Sequence, residues 1–254
     1  MMFIEAIQEI DNLTFGQQKD LKKPKYKELT LWDEGWETIM LGAYPKGQKV
    51  VDELNEIQTL VKGATDEQKR QYINCDEDAS CYIKQYMDDH DLEYSQDTID
   101  FIRKQCSPVI KHHKNHFNRA RPYQVAEHLG MKFDRFETET SKTPSYPSGH
   151  TTQPYVVGLY YSKMYPQHQQ GIMNGAKISG FGRVIAGLHY PSDYEAGVYL
   201  GKELFKYMKV EEINEDAPMN STGGAISMPP TMQKKKTDKR YDTDNMYKLL
   251  RRYI

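Results

Sequence analysis

Three short stretches hold the residues whose types and spacing could do chemistry: "KNHFNRARP" at 114–122, "PSYPSGHTTQP" at 144–154 and "GRVIAGLHYPSD" at 182–193. In the first, Lys114 and Arg121 stand seven residues apart. Seven helical steps come within about 20° of two full turns and advance about 10 Å, so the spacing predicts both cations on one face of a single helix. An arginine fork and a lysine ammonium that converge this way suit the oxygens of a dianion. Taken alone, the stretch reads more readily as a solvated basic face.

In the second stretch, turn formers end at Pro147, and Ser148, Gly149 and His150 open a helix. The first N–H groups of a helix lack intrahelical partners and form an anion site, to which the absent Cβ of Gly149 allows close approach. His150 could then meet a bound anion with a proton, although a lone Ser-Gly-His string also fits a cap or a surface residue. In the third stretch Arg183, His189 and Asp193 follow at spacings of six and four. Arg183 is expected near the end of one helix, Gly187 ends it, His189 falls in a surface turn and Asp193 opens the next helix. A carboxylate beside an imidazole fixes which nitrogen carries the proton and frees the other to attack or ligate, while Asp193 equally suits a capping role. Arg183 near His189 would oppose further positive charge there. Together these residues would bind a tetrahedral oxyanion and offer it a nucleophile and an acid.

The elements that must position them read as helices. Val50, Leu54, Ile57 and Val61 form an apolar stripe that Gly63 stops, and Thr65 with Gln68 fits a capping box. The next helix opens near Ser95, carries Ile99, Ile102, Cys106, Val109, His113 and Phe117 on one stripe, kinks at Pro108, and is ended near Arg121 by Pro122. After a mixed stretch over 123–147, helices are predicted at about 149–165 and 169–186 and from Ser192 to about Met208, the last capped by Ser192 and Glu195. Strand alternation is scarce and no repeat is visible, so the fold class is all-α. Residues 1–210 are expected to form a single helical domain. Residues 211–254, mixed and then basic, read as a linker and a tail that docks on the body or on another subunit, which leaves a homo-oligomer open.

A formal net charge of −2 over 254 residues gives no reason to expect nucleic acid, and no segment reaches the roughly 20 apolar residues of a membrane helix, so no membrane insertion is expected. A small molecule is the expected partner. The opening "MMFIEAIQEI" has Glu5 and Glu9 and no basic n-region, which predicts a cytoplasmic protein without a secretory signal. Cys75, Cys81 and Cys106, an odd number without metal-ligand spacing, are expected as buried reduced thiols.

Lysine six residues ahead of Arg-Pro, then Pro-Ser-Gly-His, then "RVIAGLHYPSD" closely resembles the three-part signature of the type 2 phosphatidic acid phosphatase and vanadium haloperoxidase superfamily. Within it, the text is most similar to soluble bacterial class A nonspecific acid phosphatases, over about residues 95–208. The resemblance implies a helical bundle and a phosphomonoesterase acting on a small phosphorylated substrate. By the same resemblance, His189 would form a phosphohistidine, Asp193 would orient it and His150 would protonate the leaving alcohol. Lys114, Arg121, Ser148, Gly149 and Arg183 would hold the phosphoryl oxygens. It implies no metal and no cofactor, with vanadate as an inhibitor. Two other readings are a haloperoxidase that uses vanadate as cofactor on His189, and a phosphate-binding protein without turnover. The sequence departs from the family's usual serine at Gly182, places Pro154 early in a helix, and lacks the export signal of the acid phosphatases.

Overall fold

The computed structural model describes residues 2–26 and 29–210; the tail predicted over 211–254 lies outside the described residues. Among them there is no strand, only two isolated bridges, Thr14 with Arg119 and Trp32 with Met208, so the architecture is all-α as the periodicity predicts. The helices are α1 (Met2–Glu9), α2 (Gln48–Gly63), α3 (Asp66–Asn74), α4 (Cys81–Asp89), α5 (Gln96–Phe117), α6 (Pro122–His128), α7 (Gly149–Met164), α8 (Gln169–Ile185) and α9 (Pro191–Phe205). Helix α2 buries Val50, Leu54, Ile57 and Val61, and α3 starts on both halves of the Thr65–Gln68 capping box. The short helices α1, α4 and α6 have no counterpart in the sequence reading.

Helix α7 is the hub. It packs against α5, α8 and α9, and it is buried on so many sides that no single apolar stripe marks it. Small residues on its neighbours let it approach closely. A Cβ on Gly197 of α9 would lie 2.8 Å from the carbonyl oxygen of Ser148 and 2.7 Å from Cβ of Thr151; one on Gly180 of α8 would lie 2.6 Å from Oγ1 of Thr151. The first turn of α7 is thereby clamped between α8 and α9.

Two helix boundaries and one set of cysteines differ from the sequence reading. Ser95 does cap α5, accepting the N–H of Thr98 at 3.2 Å, but the helix stops at Phe117 because Asn118 turns left-handed at φ 44°. Arg121 is therefore not on the helix of Lys114; it is the N-cap residue of α6. Helix α9 opens at Pro191, with the Asp193 carboxylate taking the N–H of Tyr190 at 3.0 Å, while the N–H of Ser192 goes to Glu53. Cys75 and Cys81 are paired in a disulfide, their Cα atoms 5.7 Å apart across the turn from α3 to α4, and only Cys106 remains a buried free thiol. The six-residue spacing becomes a bridge because α3 ends and α4 begins on either side of it.

Candidate active site

The residues singled out in the sequence come together at helix ends. Lys114 lies in the last turn of α5, Arg121 at the start of α6, Ser148, Gly149 and His150 at the start of α7, Arg183 in the last turn of α8, and Asp193 in the first turn of α9. Gly187, at φ 75°, makes the left-handed turn after α8 that brings His189 back against Arg183, whose carbonyl accepts the N–H of His189 at 3.3 Å.

His189 is buried, not in a surface turn as its position between helices suggests. Its Nδ1 donates to Oδ2 of Asp193 at 2.9 Å, which leaves Nε2 as the acceptor, and Nη1 of Arg121 donates to Nε2 at 3.1 Å. Burial, and after it the charge of Arg121, holds the imidazole pKa well below its ordinary value. Asp193 is fully buried and collects four donors: Nη1 of Arg119 on Oδ1, and His189 Nδ1, the Tyr190 amide and the Ser145 hydroxyl on Oδ2. Burial alone would raise its pKa, but Arg119 and the His189 hydrogen bond outweigh it and keep the carboxyl well below the usual carboxylate range. The capping and histidine-orienting roles weighed for Asp193 are thus filled at once, both by Oδ2.

The second histidine has different surroundings. His150 is half-buried, and its Nε2 lies 2.8 Å from the carbonyl oxygen of Asp76. A carbonyl can only accept, so Nε2 carries a proton and Nδ1 is the atom left to exchange one. Burial, then the charge of Arg183, lowers its pKa well below the ordinary value. Arg183 therefore opposes positive charge at His150; at His189 that part falls to Arg121. The Asp76 carboxylate pairs with Nη1 of Arg183, accepts from the hydroxyls of Tyr72, Thr138 and Thr140, and accepts the N–H of Glu139 at 2.9 Å.

The balance of buried charge is uneven. Arg119 meets Asp193 and Glu53, and Arg183 meets Asp76. Among the described residues neither Lys114 nor Arg121 meets a carboxylate. Nζ of Lys114 donates to the carbonyls of Pro144 and Ser145, and Arg121 donates to those of Thr143 and Leu188. Both cations thus converge on the 143–145 segment, reached from two elements and not from one helix face. Burial and mutual repulsion hold the Lys114 ammonium well below its ordinary pKa, and burial with the charge of Arg183 lowers Arg121 to about 10. Buried Ser148 Oγ and Arg183 Nε have no hydrogen-bond partner among the described residues. Two cations short of anions and two unsatisfied donors are what an oxyanion would complete.

Arg119, Ser145, Asp76 and Glu53 were not among the residues the sequence singled out. Arg119 and Ser145 lie inside the quoted stretches, so an arginine two residues before Arg121 was the available signal; Asp76 and Glu53 carry none, since each meets its arginine only through the fold. Gly182, where a serine was expected, faces open space, with nothing within 4 Å of a Cβ built there, and lines a cavity of about 20 Å³ beside His150 and Arg183. Among the described residues no group of three or more His, Cys, Asp and Glu has the geometry to hold a metal ion, and no helix is long and apolar enough to cross a membrane.

Residues 105–207 match the profile of the PAP2 superfamily. The acid phosphatase of Zymomonas mobilis subsp. mobilis is 36% identical over 84 residues, 33% of this chain and 31% of that protein. The non-specific acid phosphatase of Salmonella typhimurium is 34% identical over 88 residues, 35% of each chain. The matched segment spans about a third of the length of these curated relatives. The crystal structure of a bacterial vanadium-dependent iodoperoxidase superposes with a TM-score of 0.53 at 15% identity, covering 70% of this chain and 53% of its own. From the middle of α5 through α9 the chain is thus similar to the PAP2 superfamily, and its all-α fold is shared with that iodoperoxidase.

Proposed function

We propose that the protein is an acid phosphatase that hydrolyses phosphomonoesters through a phosphohistidine on His189. The observation that carries this is the pair of buried cations, Lys114 and Arg121, that meet no carboxylate among the described residues and stand beside an imidazole whose Nε2 is an acceptor. The phosphoryl oxygens of a monoester dianion take the N–H groups of Arg121, Arg183 Nε and Lys114, together with Ser148 Oγ and the amide of Gly149 at the N-terminus of α7. As Arg121 turns its N–H to the phosphate, the Nε2 lone pair of His189 is freed to attack phosphorus. The new N–P bond forms as the P–O bond to the leaving group breaks, and Nδ1 of protonated His150 gives that oxygen its proton. Asp193 holds Nδ1–H of His189 and stabilises the positive charge that develops on the ring. Water then attacks the phosphohistidine, with His150 accepting its proton, and inorganic phosphate leaves. The donors that hold phosphate offset the charge of the trigonal bipyramidal transition state, and they would hold vanadate in the same geometry.

No step calls for a metal ion, so activity should survive EDTA. The similarity to curated acid phosphatases supports the reaction class, and the alcohol half of the substrate is left to the surroundings of the site. The Cys75–Cys81 disulfide favours a compartment in which disulfides persist. The test is rapid quench of the full chain with a phosphomonoester. Wild type should yield an acid-labile phosphoenzyme, and His189→Ala should yield none and lose roughly ten-thousandfold or more in kcat. A variant that keeps most of its activity removes His189 as the nucleophile.

A further inference from the structure

The sequence "CDEDASC" from Cys75 to Cys81 is a short acidic loop closed by a disulfide, and it touches both halves of the candidate site through one residue. The Asp76 side chain takes Nη1 of Arg183, whose Nη2 goes to Thr140 at 2.9 Å, so Nε is the donor that remains unpartnered. The Asp76 backbone carbonyl takes Nε2–H of His150, so Nδ1 is the atom that faces chemistry. One residue therefore orients a phosphate donor with its side chain and a proton donor with its backbone. Its neighbours lock the loop from outside: the Glu77 carbonyl and the Asp78 carboxylate hold Arg103 of α5, and Asp78 also holds Lys84 of α4. Three consecutive acids repel one another, so closing their loop at its base removes freedom that those charges would otherwise exploit. Cys75 also lines the small cavity shared with His150 and Arg183, and both bridge cysteines are only partly buried, within reach of a small thiol.

We infer that Asp76 is a positioning residue for Arg183 and His150, and that the Cys75–Cys81 disulfide makes its hold redox-dependent. Closed, the bridge fixes both partners; opened, it lets them drift. Opening needs a dithiol. One thiolate attacks a bridge sulfur to give a mixed disulfide, and the second thiolate displaces the protein sulfur. Two electrons pass to Cys75 and Cys81, which end as thiols, and the dithiol ends as its own disulfide.

The inference rests on the phosphatase reading and deepens it. It is tested on the full chain, oxidised and reduced with dithiothreitol, by measuring inhibition by inorganic phosphate and kcat/KM for an alkyl phosphate and for p-nitrophenyl phosphate. Reduction should weaken phosphate inhibition and lower kcat/KM, each roughly tenfold to a hundredfold, with the alkyl substrate losing more because it depends on His150. Reoxidation should restore both. A purely structural loss would lower the two substrates alike. Cys75→Ser with Cys81→Ser should reproduce the reduced values and ignore dithiothreitol, and Asp76→Asn, which weakens the side-chain hold on Arg183 and keeps the carbonyl on His150, should weaken phosphate inhibition with the disulfide intact. The inference is overturned if unfolding the oxidised protein exposes three thiols. It is overturned equally if reduction yields two new thiols while both readouts stand still, or if the double variant responds to dithiothreitol like wild type. An oxidised protein with no phosphatase activity would overturn the phosphatase reading and this inference together; turnover indifferent to reduction would overturn this inference alone.

Discussion

The two histidines of the site are held by opposite means. His189 is fixed by ions: Glu53 of α2 pairs with Arg119, Arg119 with Asp193, and Asp193 with the ring, a chain of buried charges across three elements. His150 is fixed by a neutral carbonyl on a disulfide-closed loop, and the charge of Arg183 opposes its protonation. A group that must offer a lone pair gains from a permanent carboxylate behind it. A group that must gain and lose a proton within one cycle is better served by a partner that does not change charge. The difference matches the division of labour proposed for them.

The most severe way to sharpen that contrast is His150→Ala. We expect a loss of roughly a hundredfold to ten-thousandfold in kcat on alkyl phosphates, as for removal of a general acid, and a much smaller one on p-nitrophenyl phosphate, whose leaving group needs little protonation. Steady-state kinetics on the two substrates decides; equal losses would make His150 a phosphate ligand only. Next is Arg119→Met, which breaks the ionic side. It leaves Asp193 and Glu53 without their cation in a buried setting, so urea unfolding should show about 3 to 5 kcal/mol less stability, alongside a fall in activity. A loss under about 1 kcal/mol, the size of an exposed pair, would show that the chain of charges does not hold the site.

Acid should strain both sides together. Burial lowers the pKa of His113 to about 4 and holds those of His150 and His189 well below their ordinary values, so below about pH 6.5 the unfolded chain binds protons that the folded one refuses. Stability therefore falls as pH drops from about 6.5 towards 4. The contributions of Asp76 and Asp193, whose folded pKa values are depressed, are lost only at lower pH still. Melting temperature against pH should decline through the first window, and His113→Leu should flatten the decline. The smallest expected effect is at Gly182. A Cβ there meets nothing within 4 Å and the residue is helical, so Gly182→Ala should stabilise by about 0.5 to 1 kcal/mol and leave turnover near wild type. A clear loss of activity would give the open space beside His150 and Arg183 a role in binding.

What the sequence made legible is what chain neighbours decide. The stripe of α2, the Thr65 cap and the extents of α7 and α8 are local patterns, and they appear where their spacing puts them. Pro122 set an outer limit to α5 and could not show that Asn118 would turn left-handed four residues earlier, so Arg121 was placed on the wrong element. The partners that tune the site are remote: Glu53 meets Arg119 across 66 residues and Asp76 meets Arg183 across 107. An acid on an amphipathic helix or in an acidic loop looks solvated until the fold supplies its arginine. The same blindness put His189 in a surface turn, since only packing around Asp193 and Arg121 buries it. An odd cysteine count hid a bridge plus one core thiol.

The shortage of anions around Lys114 and Arg121 has a consequence in proton bookkeeping. Lys114, His150 and His189 all hold protons less readily in the folded protein than in water, because burial and neighbouring cations penalise each added positive charge. A dianion that settles among them removes that penalty, and protons return from solvent as it arrives. Affinity for the anion and affinity for protons are then two faces of one equilibrium, each raised by the other. On the proposed reading, a preference for acidic solution would follow from the charge of these side chains, before any bond to phosphorus is made or broken.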